Sequence, residues 1–136
     1  MKILRLLVLA VALTHFAPAL AKEPMYPPAP AAVQKEFSDF IATFNAALKA
    51  NDAAAVTGMT KFPFGDDSVD AAQFKTKVYP KVFTPKNRAC VQRAKGVYDR
   101  DGDGNDNYFI TCGEMNFVFT KTQTGFLFTD VGDNND

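Results

Sequence analysis

The chain has 136 residues, 15 basic against 15 acidic side chains, thirteen phenylalanines, two cysteines and no tryptophan. That length suits one domain. A neutral balance with scattered lysines excludes nucleic-acid recognition, which needs a basic stripe to neutralise phosphates.

Residues 1–21 read as a secretory signal peptide. Lys2 and Arg5 form the basic start, Leu6–Leu13 the apolar run, and Ala19-Leu20-Ala21 a small-x-small cleavage site. The apolar run is shorter than the roughly 20 residues of a membrane span, so no membrane association is expected after cleavage. The expected location is the periplasm or the medium. Cleavage leaves 115 residues with 13 basic and 15 acidic side chains, a charge of −2, and removes His15, the only histidine. A mature chain without histidine cannot run Ser-His-Asp or Cys-His catalysis, nor build a His-ligated zinc or haem site.

Residues 22–30 hold four prolines and form an extended, PPII-like leader to a single domain over 31–136. Ala31–Ala50 predicts a long amphipathic helix. Val33, Phe37, Phe40, Ile41, Phe44 and Leu48 make one stripe, with Gln34, Lys35, Asp39, Asn45 and Lys49 off it. Glu36 and Asp39 beside the stripe are expected to face solvent. Asn51 suits a left-handed helix end and Asp52 caps a second short helix, Ala53–Met59. In Lys61-Phe62-Pro63-Phe64-Gly65, proline removes a ladder donor, which predicts an edge strand or extended bridge with both rings inward.

Asp70 and Gln73 are spaced as a capping box for a third helix, with Phe74 and Val78 inward and Pro80 ending or kinking it. The Asp66, Asp67 and Asp70 cluster then reads as a turn and a helix start. Thr84-Pro85 is a helix-start pair, although a strand through Cys90 competes with that reading. A short strand over Lys95–Asp99 and a polar loop precede the most regular part of the chain. There Tyr108–Cys112, Met115–Lys121 and Phe126–Thr129 alternate in period two, with Gly125 at a hairpin turn. Phe117 and Phe119 share a face with Met115; Asn116, Val118 and Thr120 share the other.

Cys90 and Cys112 are the only cysteines, and in an exported chain they read as a disulfide; their separation is unlike a C-x-x-C redox motif. Closing that loop constrains the unfolded chain by about 3 kcal/mol in the chain-entropy model. Asp99, Asp101, Asp103 and Asp106 surround Gly102 and Gly104 and match the opening of a calcium loop. The twelfth position, a bidentate glutamate in an EF-hand, is Ile110, so the competing reading is a solvated turn. Weak calcium at these four aspartates is the one cofactor the residues suggest; no catalytic residue is assigned. Tyr98 and Tyr108 flank the loop and are expected to be cross-strand neighbours. The twelve phenylalanines left after cleavage fill a core or line an apolar hollow, and both remain open.

This order of elements resembles the NTF2-like superfamily, a cone-shaped α+β fold with N-terminal helices on a curved antiparallel sheet. Phe37-Ser38-Asp39-Phe40, Phe44 through Asp52, Lys61-Phe62-Pro63-Phe64 and the hairpin Phe117–Val131 carry the resemblance. It implies a small exported member and allows a homodimer through the sheet. The superfamily holds both enzymes and plain binding proteins, so the resemblance alone assigns no activity. The leading expectation is an exported, non-enzymatic domain binding an apolar small molecule or a partner protein through the open face of a phenylalanine-rich sheet. The alternatives are an enzyme using a buried Asp/Tyr pair for proton transfer and a calcium-stabilised structural module.

Expression in an exporting host tests the N-terminal reading. The intact mass should equal residues 22–136 less two hydrogens; a retained N-terminus or two free thiols would refute it.

Overall fold

The structure, a computed structural model, describes residues 27–65 and 67–133; the signal segment, most of the leader and Asp66 lie outside the described residues. Among the described residues, five α-helices and one π-helical turn precede a four-stranded antiparallel meander, β1-β2-β3-β4, so the fold is α+β with helices and strands segregated along the chain.

Helix α1 spans Ala31–Lys49 and buries Val33, Phe37, Phe44, Ala47 and Leu48, with Phe40 and Ile41 half-buried beside them. The stripe expected from the spacing is the buried face. It ends in a Schellman arrangement: Asn51 takes φ +52°, its N–H donates to the Leu48 carbonyl, and the Asp52 N–H donates to Ala47 at 2.9 Å. Asp52 then caps α2 (Ala53–Gly58) by accepting from the Ala55 N–H at 2.9 Å. One asparagine and one aspartate thus turn the chain between two helices while satisfying part of the backbone groups that the helix ends leave over.

The Phe-Pro-Phe stretch is a bridge rather than a strand. Thr60 pairs in parallel with Phe128, Phe64 pairs with Val69, and the Phe62–Pro63 peptide is cis. Phe64 is buried and Phe62 half-buried, both against Phe74. The Asp70–Gln73 capping box is present in both directions, at 2.8 and 3.3 Å, and starts α3 (Ala71–Gln73).

Pro80 does not end the third helix. The chain widens into a π-helical turn, Phe74–Val78, and continues as α4, Tyr79–Val82. In the wider turn the Tyr79 N–H reaches back to Phe74, so the chain leaves the α-helical bonding pattern just before Pro80, the residue that has no N–H to donate. Phe74, Tyr79 and Phe83 consequently all face the core.

Helix α5 (Pro85–Arg93) settles the helix-or-strand question around Cys90. Thr84 Oγ1 accepts from the Asn87 N–H at 3.3 Å, and proline fills the first turn. Cys90 on α5 is bonded to Cys112 at the end of β2, with Cα atoms 5.9 Å apart, which pins this helix to the sheet.

The strands are β1 (Val97–Arg100), β2 (Asp106–Cys112), β3 (Met115–Thr122) and β4 (Gly125–Asp133). Their register places Tyr98, Tyr108, Ile110, Phe117, Phe119, Phe126 and Phe128 on the face toward the helices. A bulge between Val118/Phe119 and the facing β4 residues lets Phe119 pair with Phe128 and Phe117 with Val131, keeping the inward pattern past Thr129.

The interior is filled. Phe44, Phe74, Phe117, Phe119 and Phe128 have no exposure, Phe83 has 1 %, and neighbouring rings meet mostly tilted or edge-on. Phe37 stacks flat on Tyr108, with centroids 3.7 Å apart. A Cβ on Gly96 would sit 2.9 Å from the Phe37 ring and 3.1 Å from the Tyr108 ring. The two rings close over a residue that must have no side chain.

Two substitutions check this packing by chemical denaturation. Phe128→Ala should cost about 3–5 kcal/mol, and Gly96→Ala about 1–3 kcal/mol by forcing the stacked pair apart. Unchanged midpoints would mean that these rings do not carry the core.

Candidate functional site

With its inner face covered, the sheet offers its other face. Register sets the rows: Val97, Phe109 and Val118 lie side by side across β1, β2 and β3, and Leu127 occupies the next row beside Thr120. Val97 is 49 % exposed and the only large apolar side chain so open among the described residues. Phe109, Val118 and Leu127 are half-buried by their neighbours on the sheet. The open face is therefore a short aliphatic stripe with one phenylalanine; the phenylalanine-rich face expected to be open is the covered one. Alternation explains the reversal, because a period of two puts each strand's aromatic set on one side only, and the helices take that side.

Polar groups frame the stripe. At one end Thr111 Oγ1 donates to Asn116 Oδ1 at 3.2 Å. At the other, Asn107, only 6 % exposed, accepts from Thr120 Oγ1 at 2.7 Å, and Thr120 meets Thr129 Oγ1 at 2.9 Å. This ladder crosses three strands. Its signal in the sequence is polar residues at alternate positions opposite the aromatic ones, a pattern that by itself reads as a solvated face.

The ladder continues into the acidic loop. Asn107 Nδ2 donates to Asp101 Oδ2 at 3.1 Å, as does Asn105 Nδ2 at 2.9 Å; Asp101 Oδ1 accepts the Asp103 and Asn105 N–H groups at 3.0 and 2.8 Å. These bonds, the Asn105 side chain foremost and then its backbone, hold the Asp101 carboxyl below its ordinary value of 3.8. The carboxylate acts as the loop's internal acceptor, with N–H donors on both oxygens. Asp106 sits on the opposite face and accepts from the Tyr98 hydroxyl at 2.7 Å. Asp99, a cross-strand neighbour of Asn107, and the exposed Asp103 complete the four aspartates of the calcium reading. Among the described residues, no group of three His, Cys, Asp or Glu side chains is placed to hold a metal ion. Calcium would have to displace the N–H donors on Asp101.

The tyrosines are held by packing. Tyr98 and Tyr108 are direct cross-strand neighbours, centroids 5.5 Å apart. Burial raises the Tyr79 and Tyr108 hydroxyls, and the bond to Asp106 raises Tyr98, so all three keep their protons near neutrality. Asp67 is exposed in its turn and Asp70 is engaged as a cap. Glu36 departs from its solvent-facing expectation: it pairs with Lys121 of β3 at 2.6 Å, linking α1 to the sheet, while Asp39 stays exposed with Lys35. The sequence could not show this, because Lys121 comes into range only when the helix lies on the sheet.

Compared with protein-family models, curated proteins and solved structures, the chain matches none at significant similarity.

The depressed Asp101 carboxyl has a pH signature. A group whose folded pKa lies below its unfolded value stabilises the fold above the ordinary carboxylate range, and that contribution is lost as pH falls through the folded value. Asp101→Asn should lower the melting temperature at pH 7, with the difference from wild type shrinking below about pH 4. A pH-independent difference would mean that the charge is not what holds the loop.

Proposed function

We propose that the chain is an exported, non-enzymatic binding domain of NTF2-like form that meets a partner protein with the outer face of its sheet. The observation that carries this reading is the row Val97, Phe109 and Val118, with Leu127 beside it, apolar at its centre and framed by hydrogen-bonded polar side chains. An apolar centre inside a polar rim is the anatomy of a protein contact surface. Between the two expected ligand classes, the filled interior favours a protein over an apolar small molecule.

Export is supported by the signal-like segment 1–21 and by the Cys90–Cys112 disulfide. Among the described residues no helix is long and apolar enough to cross a membrane. The superfamily reading is supported by the element order and by the parallel bridge of Thr60 to Phe128, which continues the sheet beyond β4 with the segment after α2.

The enzymatic alternative calls for a buried carboxylate and tyrosine exchanging a proton. The closest pair is Tyr98–Asp106, and there the phenol holds its proton more firmly than usual. That pairing favours a structural tie over proton transfer.

Site-specific photocrosslinking tests the surface. A crosslinker at Val118 should give a covalent adduct in the exporting host, and one at the exposed Thr76 should not. An adduct of twice the chain mass identifies a second copy as the partner, and another mass a different protein. No adduct at Val118, or equal adducts at both positions, would overturn the reading.

A further inference from the structure

A second feature lies on the helical side, away from the sheet's outer face. A cleft of about 390 Å³ opens where the end of α1, the start of α2, α4 and the start of α5 come together. Tyr79 and Phe83 form its floor, at 5 % and 1 % exposure, and Ala53, Pro80 and Pro85 its apolar walls. Among the described residues, the charged side chains lining it are Lys75 and Arg88, with no carboxylate. Neither cation takes part in an ion pair among the described residues.

The guanidinium is anchored. Arg88 Nη1 donates to the Phe83 carbonyl at 2.8 Å, which fixes the planar fork, and its other N–H groups have no protein acceptor among the described residues. The Tyr79 hydroxyl donates to Asn51 Oδ1 at 3.1 Å, which leaves the Asn51 amide N–H₂ as a further donor at the rim. The nearest acid, Asp52, is turned to its own helix, where it accepts from the Ala55 N–H. The result is an apolar floor with two unpaired cations and an amide donor at its edge, in a protein whose mature charge is negative.

We propose that this cleft binds a small organic anion, a carboxylate or phosphate carried on an apolar ring or short chain. Arg88 takes the anionic group through its fork, Lys75 adds charge from the opposite side, and Pro80, Phe83 and Pro85 cover the apolar body. A fixed guanidinium favours such a ligand because little side-chain freedom is left to lose on binding. The proposal is independent of the partner surface and stands if that surface fails.

Amide NMR titration of the mature protein tests it, with phenyl phosphate and benzoate as probes and benzyl alcohol as the neutral control. Saturable shifts are expected at Lys75, Phe83 and Arg88 with at least one anion and not with the alcohol. Arg88→Gln should weaken binding about tenfold and Lys75→Gln about threefold, as expected for a lost charge-assisted hydrogen bond and a lost exposed charge. Lys75→Gln lies on an exposed face and leaves the Phe83 anchor intact, so its effect does not depend on refolding the cleft. No saturation with either anion, equal response to the alcohol, or unchanged affinity in both variants would overturn the proposal.

Discussion

The structure depends on the seat of Phe128. Its ring lies within 6.2 Å of the rings of Phe44, Phe64, Phe74, Phe83, Phe117 and Phe119, which come from α1, the Phe-Pro-Phe bridge, the π-turn, the segment after α4 and β3. Its backbone is held as well, donating to the Met59 carbonyl at 2.9 Å and accepting from the Lys61 N–H at 2.8 Å. One residue therefore joins both layers through burial and hydrogen bonding together. Dispersion and apolar burial are non-directional, but the backbone pair is not, and it fixes where along β4 the helical layer settles.

That seat has consequences at both surfaces. With Phe128 inward, strict alternation would turn Asp130 inward next; the bulge at Thr129 brings Val131 opposite Phe117 instead. Thr129 is then turned toward Thr120, where it joins the polar ladder that reaches Asn107 and Asp101. The aromatic core and the framed outer stripe are two results of one register. On the helical side, Phe83 must lie beneath the rings of Phe44 and Phe128, and its carbonyl is thereby offered to Arg88. The cleft inherits its fixed guanidinium from the packing of the core.

The acidic loop shows how one composition serves two kinds of chemistry. Three aspartates at alternate positions around glycines have the oxygens that calcium needs, yet the central carboxylate faces its own loop's N–H groups and a neighbouring asparagine. Short acidic side chains accept from turn backbone as well as they ligate cations, and here the loop and Asn107 bring N–H donors to both oxygens of Asp101.

Local elements were legible because their causes are local. The stripe of α1, the Asn51-Asp52 break, the capping box at Asp70, the Thr84-Pro85 start and the alternation of β2–β4 each arise from neighbours a few residues apart. The disulfide was legible too, since two cysteines allow one pairing. What tertiary structure alone decided were the matters set by distant neighbours. They are the tolerance of Pro80 just after a widened turn, the pairing of Glu36 with Lys121, and a filled rather than hollow interior. The choice of which sheet face stays open belongs with them. Periodicity divides a strand into two faces, but only the docking of α1 and α5 selects the one that water keeps.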